Sequence, residues 1–436
     1  MSNTVIKAGL LLTPDGLIEQ TGVVISKERI ELIDNNETLP IQEGDFVYDF
    51  RDRLLAPGFI NGHTHLYGMY SHGINAAPPK EGFSSFLDDF WWPEVENRMD
   101  HELLKAATAY SMCELIDSGV TTIVDVIEAP NAIPGALEAE CEVIEKAGLR
   151  AVLTFEASQR MNPENAEAGL LENADFVRKH NSKDGLVRAM MSIHTLFTCD
   201  ESFIRKAKQL SKELCCDFHM HLSESVFEPR WSMEKYGSLP VEVYEKFGVL
   251  DERVLASQCV NLNEKEKDIL AQNGVRAVHM PLSNCEVGGG IADVTGLLQR
   301  GMSVGIGSDG YINNHFEIMR GAFLIPKAHW QSTSIMPAKT VYEMATSLGA
   351  KAAGMPEMGQ ISKGCMADLI TIDLDTPTPV NSHNVYDQLV LFRNPENVCD
   401  VMVGGRFIKK NHELLTVSKD AAKEKLRFLT DRFWKK

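Results

Sequence analysis

A (β/α)8 TIM barrel of α/β class, carrying a small β-sandwich domain built from both chain ends, is the fold this 436-residue sequence predicts. Three observations predict it. From about Val120 onward, short β-branched runs alternate with longer amphipathic segments, the pattern of repeated β-α units around a parallel sheet. Many of the short runs are apolar throughout, as strands buried on both faces are. Histidines and an aspartate stand at the ends of several of them, where this fold gathers catalytic groups.

Eight runs qualify as strands: Gly58–Gly62, Val120–Val126, Leu149–Ala157, Val187–Ile193, Asp217–His221, Val254–Leu262, Val275–His279 and Ser303–Gly307. Gly119, Gly148 and Gly274 stand just past helical patterns, where a left-handed residue ends a helix. Thr198 with Glu201, and Asn263 with Glu266, have the spacing of an N-cap and a third-position Glu that reaches back to it. Pro134 and Pro337 suit first-turn positions.

Residues 1–56 and 361–417 break this alternation: both are strand-like stretches punctuated by Gly, Asp and Asn, expected to pair into one composite β domain flanking a barrel of residues 57–360. Residues 418–436 read as a helix through Leu426, Phe428, Leu429 and Phe433, docking on the barrel or on a partner subunit.

A net charge of -18 sets a whole-molecule field that repels phosphate backbones and anionic membranes, so a small-molecule partner is expected rather than nucleic acid or membrane. No run approaches a membrane span, and Val5–Leu12 lacks the basic flank of a leader, which points to the cytoplasm. Nine cysteines without a C-x-x-C pair fit free thiols in a reducing compartment and argue against cysteine-bound zinc.

The sharpest local signal is Pro57-Gly-Phe-Ile-Asn-Gly-His63-Thr-His65, an apolar strand ending in two histidines one residue apart. Alternation on a strand turns both imidazoles to one face, the barrel interior. Two loop histidines are the plain alternative. A second pair, His219 and His221, closes the fifth strand; they share a face, and His221 lies nearer the mouth, three residues before Glu224. A carboxylate there suits general acid/base work beside a metal, although most glutamates are simply solvated. The eighth strand ends in Gly305-Ile-Gly-Ser-Asp309-Gly, placing a carboxylate where a turn aspartate is the ordinary reading. Three histidines and one aspartate form a site with room for water that suits zinc first and iron second.

Taken together, these motifs resemble the amidohydrolase superfamily, specifically its cytosine-deaminase-like and chlorohydrolase-like aminohydrolase branch. The resemblance runs through PGFINGHTH, GVTTIVD at Gly119–Asp125, HMHLSE, HMPLSN at His279–Asn284, GSDG, and Gly359-Gln-Ile-Ser-Lys-Gly-Cys-Met-Ala-Asp-Leu369. It implies one divalent metal per chain on His63, His65, His221 and Asp309, with Glu224 as proton shuttle and Asp309 also taking a proton. By the same likeness His194 and His279 belong to the substrate pocket, His279 with a catalytic part. No lysine stands at the fourth strand end, which favours a single metal.

One departure is Gln258, in Ala256-Ser-Gln-Cys-Val260, where the family's deaminases usually have a histidine. An amide donates and accepts but carries no charge. It is expected to touch water or substrate, with Gln258→Ala milder than His279→Ala. The long segment from Tyr67 to Asp100 holds Phe83, Phe86, Phe90, Trp91 and Trp92, with Lys80 and Arg98 as its basic residues. It either closes over a flat ring, Trp92 touching substrate, or packs on itself. Trp91-Trp92 and Pro78-Pro79 also resemble uncharacterised aminohydrolases associated with selenium metabolism.

The expected activity is metal-dependent deamination at an amidine-like carbon of an N-heterocycle such as a purine or pterin, releasing ammonia, in a homo-oligomer. An amide, chloro or alkylamino hydrolase is the first alternative. A non-catalytic metal-binding barrel is the second.

Overall fold

The computed structural model describes residues 2–73, 82–182 and 185–434; Pro78, Pro79 and Lys80 lie outside the described residues. The barrel strands are β1 (Phe59–Thr64), β2 (Val120–Ile127), β3 (Arg150–Phe155), β4 (Val187–Ala189 continuing as Met191–Ser192), β5 (Phe218–Leu222), β6 (Val254–Gln258), β7 (Arg276–His279) and β8 (Val304–Ile306). Neighbours pair in parallel from β1 to β4 and from β4 to β8. Bridges between Thr64 and Asp309 and between Ala157 and Ile193 join the two arcs into a closed ring. At the first seam Gly307 lets β8 approach β1: a Cβ there would sit 2.5 Å from the His63 carbonyl oxygen.

Below the mouth, Ile60, Val124, Val152, Leu255 and Val278 fill the ring with apolar side chains, plugged by Ala350 and Ala352 of helix Ser347–Ala352 and by Met355 just after it. The strands are therefore apolar in their first halves and polar at their C-terminal ends. Helices after each strand cover the outside, among them His101–Asp117, Ala136–Ala147, Pro163–His180, Glu201–Glu213, Glu264–Gln272 and His315–His329.

The expected boundaries need three corrections. The sixth strand ends at Gln258, not Leu262, because Gln258 and Cys259 both adopt left-handed backbone that no strand can continue (φ 75° and 51°). The cap before helix Glu201–Glu213 is Asp200, whose carboxylate accepts from Phe203 N, rather than Thr198. Pro134 precedes its helix by two residues and Pro337 is itself an N-cap, so neither occupies the first turn. Asn263 and Glu266 do form the reciprocal cap, and Gly148 ends its helix at φ 81°.

Both chain ends share one nine-stranded sheet, in which Phe46–Pro57 pairs with Thr4–Thr13 on one side and Leu369–Asp373 on the other. The strand Arg29–Asn35 meets residues 364–367 through Ile30 N to Cys365 O and Ala367 N to Glu28 O, closing the sheet over Ile6, Val23, Ile25, Leu55 and Met402. Helix Lys419–Trp434 docks on the barrel by Leu426 and Leu429, with Trp434 Nε1 donating to Tyr70 O.

Candidate metal centre and active site

The ends of β1, β5 and β8 converge. Donor atoms of His63, His65 and His221 lie within 4.8 Å of one another, and His65 Nε2 is 3.4 Å from Asp309 Oδ1. Both ring nitrogens of His63 are buried without a hydrogen-bond partner. Buried imidazoles left unpaired are costly, so a donor set aimed at one point fits a cation there.

Three of the four, His65, His221 and Asp309, are oriented from behind. His65 Nδ1 meets the Val126 carbonyl at 2.6 Å and His221 Nδ1 meets the Glu156 carboxylate, which leaves the Nε2 atoms facing the centre. Asp309 is held on both oxygens: Oδ2 accepts from Gln258 Nε2 (2.7 Å) and Ser283 Oγ (2.9 Å), and Oδ1 from Gly310 N (2.8 Å). Asn284 Nδ2 in turn donates to Gln258 Oε1. Ser223, Gln258 and Asp309 all have positive φ (50°, 75° and 57°), so the backbone departs from extended geometry at three of the strand ends around the site.

Burial pushes the His63, His194 and His219 rings well below the ordinary histidine range, which keeps them neutral. Burial opposes ionisation of Asp309, but His65, His63 and His221 outweigh it and hold this carboxyl below the carboxylate range. Burial, followed by the Asp309 charge, pushes Glu224 well above the usual glutamate range.

A cavity of about 470 Å³ opens over these groups; His65, His194, His221, Glu224, Gln258 and Asp309 line it. Its roof is the segment Phe83–Val95, from which Phe83, Phe86, Phe90 and Trp91 face the cavity. Phe86 and Trp91 are stacked (ring centroids 5.7 Å).

Two expected site residues lie elsewhere. Trp92 does not line this cavity: its ring lies under the Arg160 guanidinium, 5.1 Å away, and meets the edge of His194, while the preceding Trp91 takes the cavity face. His279 is buried with both ring nitrogens unpartnered and is absent from the cavity lining. It follows Val278, which points into the barrel, and alternation turns it away. Gln258 reaches the cavity, but its amide is committed to Asp309 and Asn284 rather than free for water.

Sequence reasoning missed Glu156, Glu96 and Ser283. Glu156 follows an apolar strand just as Asp309 does, a signal that was available. Glu96 accepts from Tyr67 Oη (3.0 Å), 29 residues away, and pairs with Arg160 (2.9 Å), 64 residues away, contacts that no local pattern announces.

This architecture is that of a barrel hydrolase with a candidate metal centre at the C-terminal mouth. The chain belongs to the amidohydrolase family, whose model matches residues 54–408. It is 30% identical to a 5-methylthioadenosine/S-adenosylhomocysteine deaminase of Haloarcula marismortui over 98% of this chain and 97% of that protein. It is 31% identical to the protein of the same name from Thermoanaerobacter pseudethanolicus, over 92% and 91%. Among solved structures it resembles a zinc-bound adenosine deaminase from Xanthomonas campestris (TM-score 0.89, 22% identity, covering 99% and 98%). It also resembles a zinc-complexed atrazine chlorohydrolase from Arthrobacter aurescens (TM-score 0.86, 18% identity, 98% and 100%). The activity is that of a metal-dependent hydrolase of C–N bonds in cyclic amidines. Among the described residues, no helix is long and apolar enough to cross a membrane.

Proposed function

We propose that this chain is a mononuclear deaminase of a purine-type ring, holding one zinc or iron ion on His63, His65, His221 and Asp309 and acting as a cytoplasmic homo-oligomer. The observation that carries the reading is the convergence of these four side chains at the floor of the cavity that His65, His221, Asp309 and Glu224 line. The names of the relatives support an adenosine-like substrate.

A divalent ion bound there supplies Lewis acidity, polarising water and lowering its pKa toward neutrality. Glu224, whose carboxyl burial holds well above the usual glutamate range, relays protons from water to the ring nitrogen beside the attacked carbon and then to the departing amine. Asp309, fixed by Gln258, Ser283 and Gly310, stays ionised beside the histidines and can accept a proton without moving. Glu156 and the Val126 carbonyl fix the tautomers of His221 and His65. The stacked Phe86 and Trp91 form an apolar roof for a flat ring.

Ammonia release from adenosine-type nucleosides, pterins, pyrimidines and triazines tests the reading. Chloride or alkylamine in place of ammonia would move the chain to the chloro or alkylamino alternative. Stoichiometric metal without turnover on any ring would leave a binding protein.

A further inference from the structure

The charge of the cavity wall is one-sided. Glu96, Glu156, Glu224, Glu286 and Asp309 line it, and among the described lining residues there is no Lys or Arg. The Arg160 guanidinium, which pairs with the lining residue Glu96, is buried between Glu96 and Glu128 and covered by the Trp92 ring, so its charge is already matched. A divalent ion offsets two more carboxylates.

Glu286 is the member of this set that nothing else occupies. It ends the helix Pro281–Glu286 that also supplies Ser283 to Asp309, is exposed at the rim, and has no ion-pair partner among the described residues. Glu286 shares the cavity wall with the roof residues Phe86 and Trp91, so a substituent on a ring held there meets this carboxylate within the same cavity. Inside a partly desolvated cavity, charges of like sign are strongly disfavoured and opposite charges favoured.

We propose that the cavity selects ring substrates whose side arm is cationic or a hydrogen-bond donor and rejects those whose side arm carries a carboxylate, with Glu286 as the specificity-determining residue. This rests on the reading of the site as a ring-amidine hydrolase and goes beyond it by naming the class of substituent. The two compounds for which the relatives are named are not a clean test of this rule, because the arm of 5-methylthioadenosine is uncharged and that of S-adenosylhomocysteine ends in a zwitterion with both an ammonium and a carboxylate.

The test uses the metal-loaded protein and three adenosines that differ at the 5′ position: 5′-amino-5′-deoxyadenosine, adenosine and adenosine-5′-carboxylate. Binding is followed by tryptophan fluorescence and turnover by ammonia. The carboxylate should bind about tenfold or more weakly than the amine, and the gap should narrow at high salt and in Glu286→Gln. A carboxylate bound as tightly as the amine overturns the proposal. So does a gap unchanged in Glu286→Gln, which removes the role given to that residue. If none of the three binds, the purine reading fails by itself. Benzamidine against benzoate, one ring with opposite charges, then decides the charge rule, and equal or tighter binding of benzoate overturns it.

Discussion

The chain carries one three-residue pattern twice, His63-Thr-His65 at the end of β1 and His219-Met-His221 at the end of β5. In β1 both imidazoles contribute donors to the metal site. In β5 only His221 does: His219 meets Ser192 Oγ at 2.9 Å through Nδ1 and Ser257 Oγ at 3.1 Å through Nε2, so neither nitrogen is left for a metal. His63 and His219 are nonetheless stacked 5.2 Å apart, nearly the same place in the barrel. What separates ligand from scaffold is therefore the neighbour on the adjacent strand. A serine on β4 and another on β6 turn a potential ligand into a hydrogen-bonded core residue.

The largest effect should come from removing true ligands. His221→Ala and Asp309→Ala are expected to lose the metal and all turnover while keeping the native circular dichroism, read by elemental analysis beside the assay. Metal retained at the normal ratio in either variant would break the contrast between the two pairs.

Next in size, Glu224→Gln should keep metal and substrate binding and lower kcat by about 10²–10⁴-fold, the scale of an acid/base group. Near-normal turnover would remove Glu224 from proton transfer.

Gln258→Ala should follow, at roughly 10–100-fold in activity or metal affinity, because it strips one donor from a ligand's supporting shell. Sequence alone ranks His279→Ala above it. The geometry reverses that order, since Gln258 touches Asp309 whereas His279 is outside the cavity lining. Comparing kcat of the two variants decides it.

His219→Ala should keep its metal and lose roughly 1–3 kcal/mol of stability, the cost of removing a buried ring and its two hydrogen bonds to Ser192 and Ser257. Loss of metal in this variant would make β5 resemble β1 after all.

The smallest effect concerns pH. Asp125 and Glu140 are buried together behind the β1 histidines; burial raises Asp125 to about 6 and, with the Asp125 charge, lifts Glu140 well above the usual range. The folded pair thus retains a proton that the unfolded chain gives up near pH 4 to 5. Stability should fall as pH rises from that range through the folded values, since the native state binds more protons. Glu140→Gln should flatten this slope in melting curves taken from pH 5 to 8. An unchanged slope would place the titration elsewhere.

Much of this was legible before any coordinates. Strand periodicity and the placement of His63, His65 and Asp309 at strand ends are local properties, and they led directly to the barrel and the converging donors. The choice between His219 and His221 was not local, because it depends on Ser192 and Ser257 from neighbouring strands. Trp91 and Trp92 are adjacent, and sequence cannot say which faces a cavity when their segment winds as a π-helix, Phe86–Val95, rather than at the usual helical pitch. His279 was misplaced for a related reason. The family motif says which strand bears it, while the pleat decides which side it faces.

The shared sheet also sets a schedule for synthesis. The strand Phe46–Pro57 finds its partner Leu369–Asp373 only after roughly 300 further residues have been made, a delay of about 15–60 s at ordinary elongation rates. Until then the nascent chain presents an unpaired strand edge, the kind of surface on which chains aggregate. Slowing translation ahead of Leu369 should therefore lower the soluble yield more than the same pause placed after it.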